Sequence, residues 1–281
     1  MQKMHDFMRS LFLPARVTVR RLALGLIWGA VVAGVWPAVQ AQTAPSNPPG
    51  PPLKVAAAAN LKFVLADIET QYRQQTGQAV QFNFGASVQL ARQIRQGLPV
   101  ELFISADEEQ VDWLQAQGLT RDAGQRYAIG RLALIGLQTH PLAKAASLEV
   151  ALRALAPTDK LALANPQLAP YGLAAQQALQ KTGLWSAVQK QVVLGENIGQ
   201  ATQYVLTGAA PLGFTAYALT LAPETAARLK VWPVPAELHA PLNQRMVLLK
   251  GASPQAQAFR DYLLGPQAKA LFLKHGYALP Q

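Results

Sequence analysis

The chain holds 281 residues, enough for one large domain or two small ones. It is 51% hydrophobic and 14% charged, which excludes a disordered chain and supplies a sizeable core. The net charge is +10 and cysteine is absent, so disulfides, thiolate metal sites and thiol catalysis are excluded together.

At the N-terminus, Lys3, Arg9, Arg16, Arg20 and Arg21 face a single acid, Asp6. An uncharged apolar run, Leu22 to Val35, follows, then Pro37 and the small-residue pattern Val39-Gln40-Ala41. Charged, apolar and small segments in that order predict a secretory signal over residues 1–41, cut after Ala41. A retained membrane anchor fits less well, because the run reaches spanning length only if the Pro37 region is included. With no cysteine to carry a lipid, the mature protein is expected free in the periplasm. The first 41 residues hold five basic residues and one acid, so their removal lowers the net charge from +10 to +6. The remaining basic residues are scattered singly, with no run interleaved with aromatics, which argues against nucleic acid as a partner.

Residues 42–52 (QTAPSNPPGPP) form a stiff, Pro-rich lead-in. From Leu53 the pattern becomes strand, short turn, helix. Leu53–Ala59 suits a buried strand, and Leu61, Val64, Leu65, Ile68 and Tyr72 then mark one helical face ending near Gly77. Val80, Phe82 and Phe84 alternate as in a half-buried strand; Gly85-Ala86-Ser87 is a turn; Leu90, Ala91 and Ile94 give a helix stopping before Gly97. Val100–Ser105 is a strand, and Asp107 is placed to cap a helix running to Gly118. Further on the pattern predicts one long strand at Tyr127–Leu137 and short ones at Leu161–Ala164, Val192–Leu194, Leu212–Phe214, Val231–Val234 and Met246–Leu249. Pro166 and Pro170 are read as ending regular structure, and helices are expected at Leu173–Thr182, Gly199–Thr207, Pro254–Leu264 and Pro266–Lys274.

Alternating strands and helices predict an α/β protein of two lobes, each a mixed, mostly parallel sheet flanked by helices, with a ligand in the cleft between them. The expected boundaries are residues 53–130 with 243–281 for one lobe and 131–242 for the other, so the chain crosses twice, as suits a hinge.

In such sheets ligands collect where strands end and helices begin, and helix N-termini offer free N–H groups with a partial positive charge. Four junctions here carry small polar residues: Asn60 after VAAAA, Ser87 after FNFGA, the stretch Asn165 to Gly172, and Asn197-Ile198-Gly199. Each alone is an ordinary helix cap. Together they gain meaning if two come from each lobe and surround one pocket, with Gly172 letting the backbone approach a ligand. None of the four carries Lys, Arg or His. A pocket of uncharged donors favours an oxyanion fully deprotonated at neutral pH, such as molybdate, tungstate or sulfate, and a carboxylate there would repel it.

At these same residues the chain resembles the periplasmic molybdate-binding proteins of ABC importers, the ModA family. The resemblance spans about Lys54 to Gln281 and rests on VAAAANL at 55–61, GASVQLARQI at 85–94, GLPVELFISAD at 97–107, NPQLAPYGLA at 165–174, NIGQA at 197–201, APLGF at 210–214 and the segments of 265–280. It implies a type II binding-protein fold that closes on one tetrahedral oxyanion without chemistry. Position by position, the oxyanion site it implies is Ala59, Asn60, Ser87, Tyr171 and Ile198. Many members have a ligand-contacting Tyr where Ala216 stands here; Tyr217, one place beyond, is left out of the site and Tyr171 is expected to take its role. The implied ligand is molybdate or tungstate, with no cofactor and no metal held by side chains. The implied partner is an ABC permease of the inner membrane, served by a monomer.

Other residues read as structural. Asp67 and Glu69 fall on the solvated side of the first helix, and Trp113, Trp185 and Trp232 suit the core or lobe surfaces. His140 and His239 are expected in solvent, and no histidine pair has metal-site spacing. Two alternatives remain: a binding protein for another oxyanion, such as sulfate, thiosulfate or a phosphonate, and an exported α/β hydrolase. The hydrolase lacks a visible nucleophile and base, and no GxSxG, P-loop or dinucleotide motif occurs.

Overall fold

The computed structural model describes residues 50–280. The expected signal, its cleavage point and residues 42–49 of the lead-in fall outside the described residues. Leu53–Ala58 forms β1, buried at every position but Lys54, as its continuous apolar run requires. Then come α1 (Lys62–Thr76), β2 (Val80–Gly85), α2 (Ser87–Arg95), β3 (Leu102–Ile104), α3 (Glu109–Ala116) and β4 (Gln125–Gly130). The middle of the chain gives β5 (Leu132–Leu137), α4 (Leu148–Arg153), β6 (Leu161–Ala164), α5 (Pro170–Lys181), α6 (Trp185–Val188), β7 (Val192–Gly195) and α7 (Ile198–Leu206). It continues through β8 (Leu212–Ala216), α8 (Tyr217–Thr220), α9 (Pro223–Ala226) and β9 (Leu229–Pro233). The last segment holds β10 (Leu242–Leu248), α10 (Pro254–Leu263) and α11 (Pro266–Lys274).

The strands build two five-stranded sheets, β2-β1-β3-β10-β4 and β7-β6-β8-β5-β9. This is the expected two-lobed α/β architecture. The sheets are mixed: β1 and β6 pair in parallel with both neighbours, while β10 and β5 are antiparallel to theirs. β10 is the returning segment, and it inserts between β3 and β4 against both.

Two local expectations need correction. The single strand at Tyr127–Leu137 is two strands in different sheets, β4 and β5, separated by Arg131. The mark of that crossover is Gly130-Arg131, an exposed charge inside an otherwise apolar run. Pro170 does not end regular structure but opens α5, where its missing N–H would have had no helical partner. The short helices α4, α6, α8 and α9 were not expected, since four to six residues show too little periodicity to read.

α1 buries Val64, Leu65, Ile68 and Tyr72 and stops at Gly77, whose φ of 74° gives the left-handed cap. Tyr72 meets Phe259 of α10 edge to face at 4.9 Å, tying the returning segment to the first sheet. The consequence for function is positional: a short turn, Ala59–Leu61, follows β1, and α2, α5 and α7 follow β2, β6 and β7.

Candidate oxyanion site

The four junctions meet at one small cavity. Ala59, Asn60 and Ser87 line it from the first sheet's side, and Tyr171, Asn197 and Ile198 from the second. All five residues expected from the sequence, Ala59, Asn60, Ser87, Tyr171 and Ile198, therefore border the same space, each 9% exposed or less. Among the described residues lining it none is charged and none is histidine. The halves touch around it: Val88 N–H donates to Leu168 O at 3.2 Å across the cleft. A Cβ built on Gly199 of α7 would lie 3.8 Å from Ala59 Cβ. A larger open groove of about 490 Å³ runs past Leu152, Leu155 and Lys190 on the second lobe, away from every junction.

The donors follow from the local folds. Ser87, Tyr171 and Ile198 lie in the first turns of α2, α5 and α7, where an N–H has no carbonyl of its own helix to bond. Ser87 Oγ accepts from Ala106 N–H at 3.0 Å, which uses its acceptor side and leaves the hydroxyl proton to give. Asn197 acts as an ordinary cap, its Oδ1 accepting from Gln200 N–H at 3.1 Å. Gly172 does not approach a ligand: a Cβ there would sit 2.2 Å from Ala164 O, so the glycine lets α5 pack on the end of β6.

Behind the cavity lies a buried polar network that sequence reasoning missed. Asn60 Nδ2 donates to Gln244 Oε1 and to Tyr277 Oη, both at 3.1 Å, and Tyr277 Oη donates to Asn60 O at 2.8 Å. Tyr127 Oη reaches Gln244 Oε1 at 2.7 Å, and Gln244 Nε2 donates to Tyr171 Oη at 3.0 Å. The Tyr171 hydroxyl is thus engaged with Gln244. Burial pushes the phenols of Tyr127, Tyr171 and Tyr277 above their ordinary range and keeps them neutral. Gln244 sits between Asn243 and Arg245, and nothing in the sequence sets it apart from a surface glutamine.

Tyr217 does not line the cavity; its ring lies 4.8 Å from the Arg131 guanidinium. Asp107 caps α3 as expected, accepting from Gln110 N–H at 3.0 Å. Burial raises its pKa to about 6, against the hydrogen bonds from Gln110 and Ser105. His140 and His239 are half-buried and outside the cavity. Among the described residues no group of His, Asp and Glu is placed to hold a metal ion.

The family model described as bacterial extracellular solute-binding protein matches residues 53–278. The chain belongs to that family. This solute-binding protein is 38% identical over 231 residues to the molybdate-binding protein ModA of Azotobacter vinelandii, covering 81% of this chain and 90% of the relative. It is 34% identical to ModA of Rhodobacter capsulatus over 226 residues, covering 79% and 86%. Its structure superposes on the Azotobacter vinelandii periplasmic molybdate-binding protein with a TM-score of 0.74 at 35% identity, covering 82% of this chain and all of that one.

Proposed function

We propose that this solute-binding protein is exported, captures molybdate or tungstate in the periplasm, and passes it to an ABC permease of the inner membrane. One observation carries the reading: uncharged donors from both sheets converge on one small cavity with no charged side chain in its lining. The similarity to proteins named molybdate-binding, at 38% and 34% identity, points the same way.

The protein acts by binding, without catalysis. A doubly negative oxyanion leaving water needs its hydration shell replaced by fixed dipoles. The main-chain N–H groups of Ala59, Ser87, Tyr171 and Ile198, the Ser87 hydroxyl and the Asn60 carboxamide supply them. Hydrogen bonds to a charged group contribute roughly 1.5–3 kcal/mol each, so a handful suffices for capture after the costs of ordering and desolvation. Closure of the lobes excludes water and strengthens each bond. A lining without carboxylates suits an anion that brings no proton of its own.

Calorimetric titration with molybdate, tungstate and sulfate tests the reading. The expected result is one-to-one binding of the two larger ions, with a Kd on the order of micromolar to nanomolar, and much weaker sulfate binding. Equal affinity for sulfate would reject the selectivity and favour a different oxyanion.

A further inference from the structure

Gln244 of β10 is fully buried and does not line the cavity, yet its carboxamide touches both halves of the site. The proton count in this network is uneven. Asn60 spends both hydrogens of Nδ2 on Gln244 and Tyr277, leaving none for the cavity, and its Oδ1 is buried without a partner. Tyr127 has one proton and two acceptors, Ser105 O at 2.8 Å and Gln244 Oε1 at 2.7 Å. The Tyr171 hydroxyl accepts from Gln244 and has the Asn60 carboxamide as its other polar neighbour, and among the described residues no oxygen at full hydrogen-bonding geometry takes its proton.

The two ends of a carboxamide share a shape and have opposite hydrogen-bonding sense. A half-turn of Gln244 and Asn60 together therefore costs little sterically and removes all three defects. Gln244 Nε2 then donates to Asn60 Oδ1 and to Tyr127 Oη. Tyr127 gives its proton to the Ser105 carbonyl, and Gln244 Oε1 takes the Tyr171 proton. Both Asn60 N–H bonds are released toward the cavity. The cost falls at Tyr277: Asn60 Oδ1 then faces Tyr277 Oη, whose one proton serves either Oδ1 or the Asn60 carbonyl but not both.

We propose that Gln244 is a positioning residue: it holds the Asn60 amide with its N–H groups toward the bound oxyanion and links that orientation to Tyr171 on the other lobe. The inference rests on the oxyanion-binding reading above. An acceptor in the cavity selects this proton arrangement, so Asn60 and Gln244 act on affinity as a unit.

The test uses the tightest-bound ion of a molybdate, tungstate and sulfate panel. Affinities are compared for wild type, Asn60→Ala, Gln244→Met and the double variant. Each single change is expected to weaken binding about 10- to 100-fold, the range of one or two charge-assisted bonds, and the double variant to be little weaker than the worse single one. In ¹⁵N-labelled protein the Asn60 side-chain NH₂ pair, identified by its loss in Asn60→Ala, is expected to shift on adding the ion in wild type and to stay put in Gln244→Met. Effects that multiply, wild-type affinity in Gln244→Met, or an unmoved Asn60 pair in wild type would overturn the inference. Should Gln244→Met fail to fold, Gln244→Asn, which keeps a carboxamide but shortens its reach, takes its place: weakened binding with an unmoved Asn60 pair supports the inference, and wild-type affinity overturns it. Wild-type protein that binds no ion of the panel overturns the function and the inference together; wild-type binding with multiplying effects overturns the inference alone.

Discussion

Ser87 shows how one side chain is prepared to give a hydrogen bond: it is 1% exposed, and its oxygen is held by Ala106 N–H at 3.0 Å. Ser87→Ala keeps the first turn of α2 and deletes that donor. Its expected effect is molybdate affinity lower by about 1.5–3 kcal/mol, on the order of 10- to 100-fold, with a lower melting temperature as well, because the buried Ala106 N–H loses its acceptor. Titration beside a thermal melt checks both halves. Asp107 makes a different prediction. Its folded-state pKa is raised from 3.8 to about 6, so the fold favours the protonated carboxyl. That stabilisation is full below pH 3.8 and is lost as pH rises through about 6. Asp107→Asn should remove the slope, so its stability advantage over wild type at pH 7 should shrink toward pH 4, by about 3 kcal/mol at most. Glu108 runs the opposite way. Its hydrogen bond to Arg126, with further help from Arg245, holds its pKa at about 2, so its contribution is present above pH 4.5 and is lost only as pH falls through about 2. Asn60 and Ser87, each an ordinary cap when taken alone, were legible because four such junctions recur along the chain and the family resemblance falls on the same residues. Gln244 was not, because only the third dimension brings it beside Asn60, 184 positions away.

Helix entry is the unit from which the site is built, and strand-to-helix alternation announced most of those entries. α10 and α11 begin at the expected residues, Pro254 and Pro266, while α2 takes in Ser87, which was read as a turn residue. α5 begins earlier than its apolar face suggests, because Pro170 takes the first helical position and brings Tyr171 N–H to the cavity. Gly172 fixes how closely that turn lies on β6. A methyl there would meet Ala164 O at 2.2 Å, so Gly172→Ala must push the start of α5 away from β6. The expected outcome is loss of both stability and affinity, seen as a lower melting temperature and a weaker titration; unchanged affinity would show that α5 does not hold the ligand. The split of Tyr127–Leu137 between two sheets was hidden because strand patterning reports burial and not which sheet does the burying.

At the scale of the molecule, closure depends on how near the lobes approach beside the crossover. A Cβ on Gly130 would lie 2.2 Å from Tyr171 Oη and 2.6 Å from Gln244 Nε2. Gly130→Ala should therefore act as a wedge. Each sheet keeps its core, but the Tyr171 turn cannot seat, and affinity falls chiefly through faster release. Stopped-flow tryptophan fluorescence reads this directly, and an unchanged release rate would mean that this contact is not part of the closed form. The central claim is that uncharged dipoles from both halves replace the water around a molybdate-like dianion. A crystal structure with tungstate, located by its anomalous scattering, tests it most directly. The account predicts one tungsten peak in the cavity between Ser87 and Ile198, its oxygens within hydrogen-bond reach of those N–H groups, with no lysine, arginine or carboxylate in contact. A peak elsewhere, or one held by a charged side chain, would contradict it.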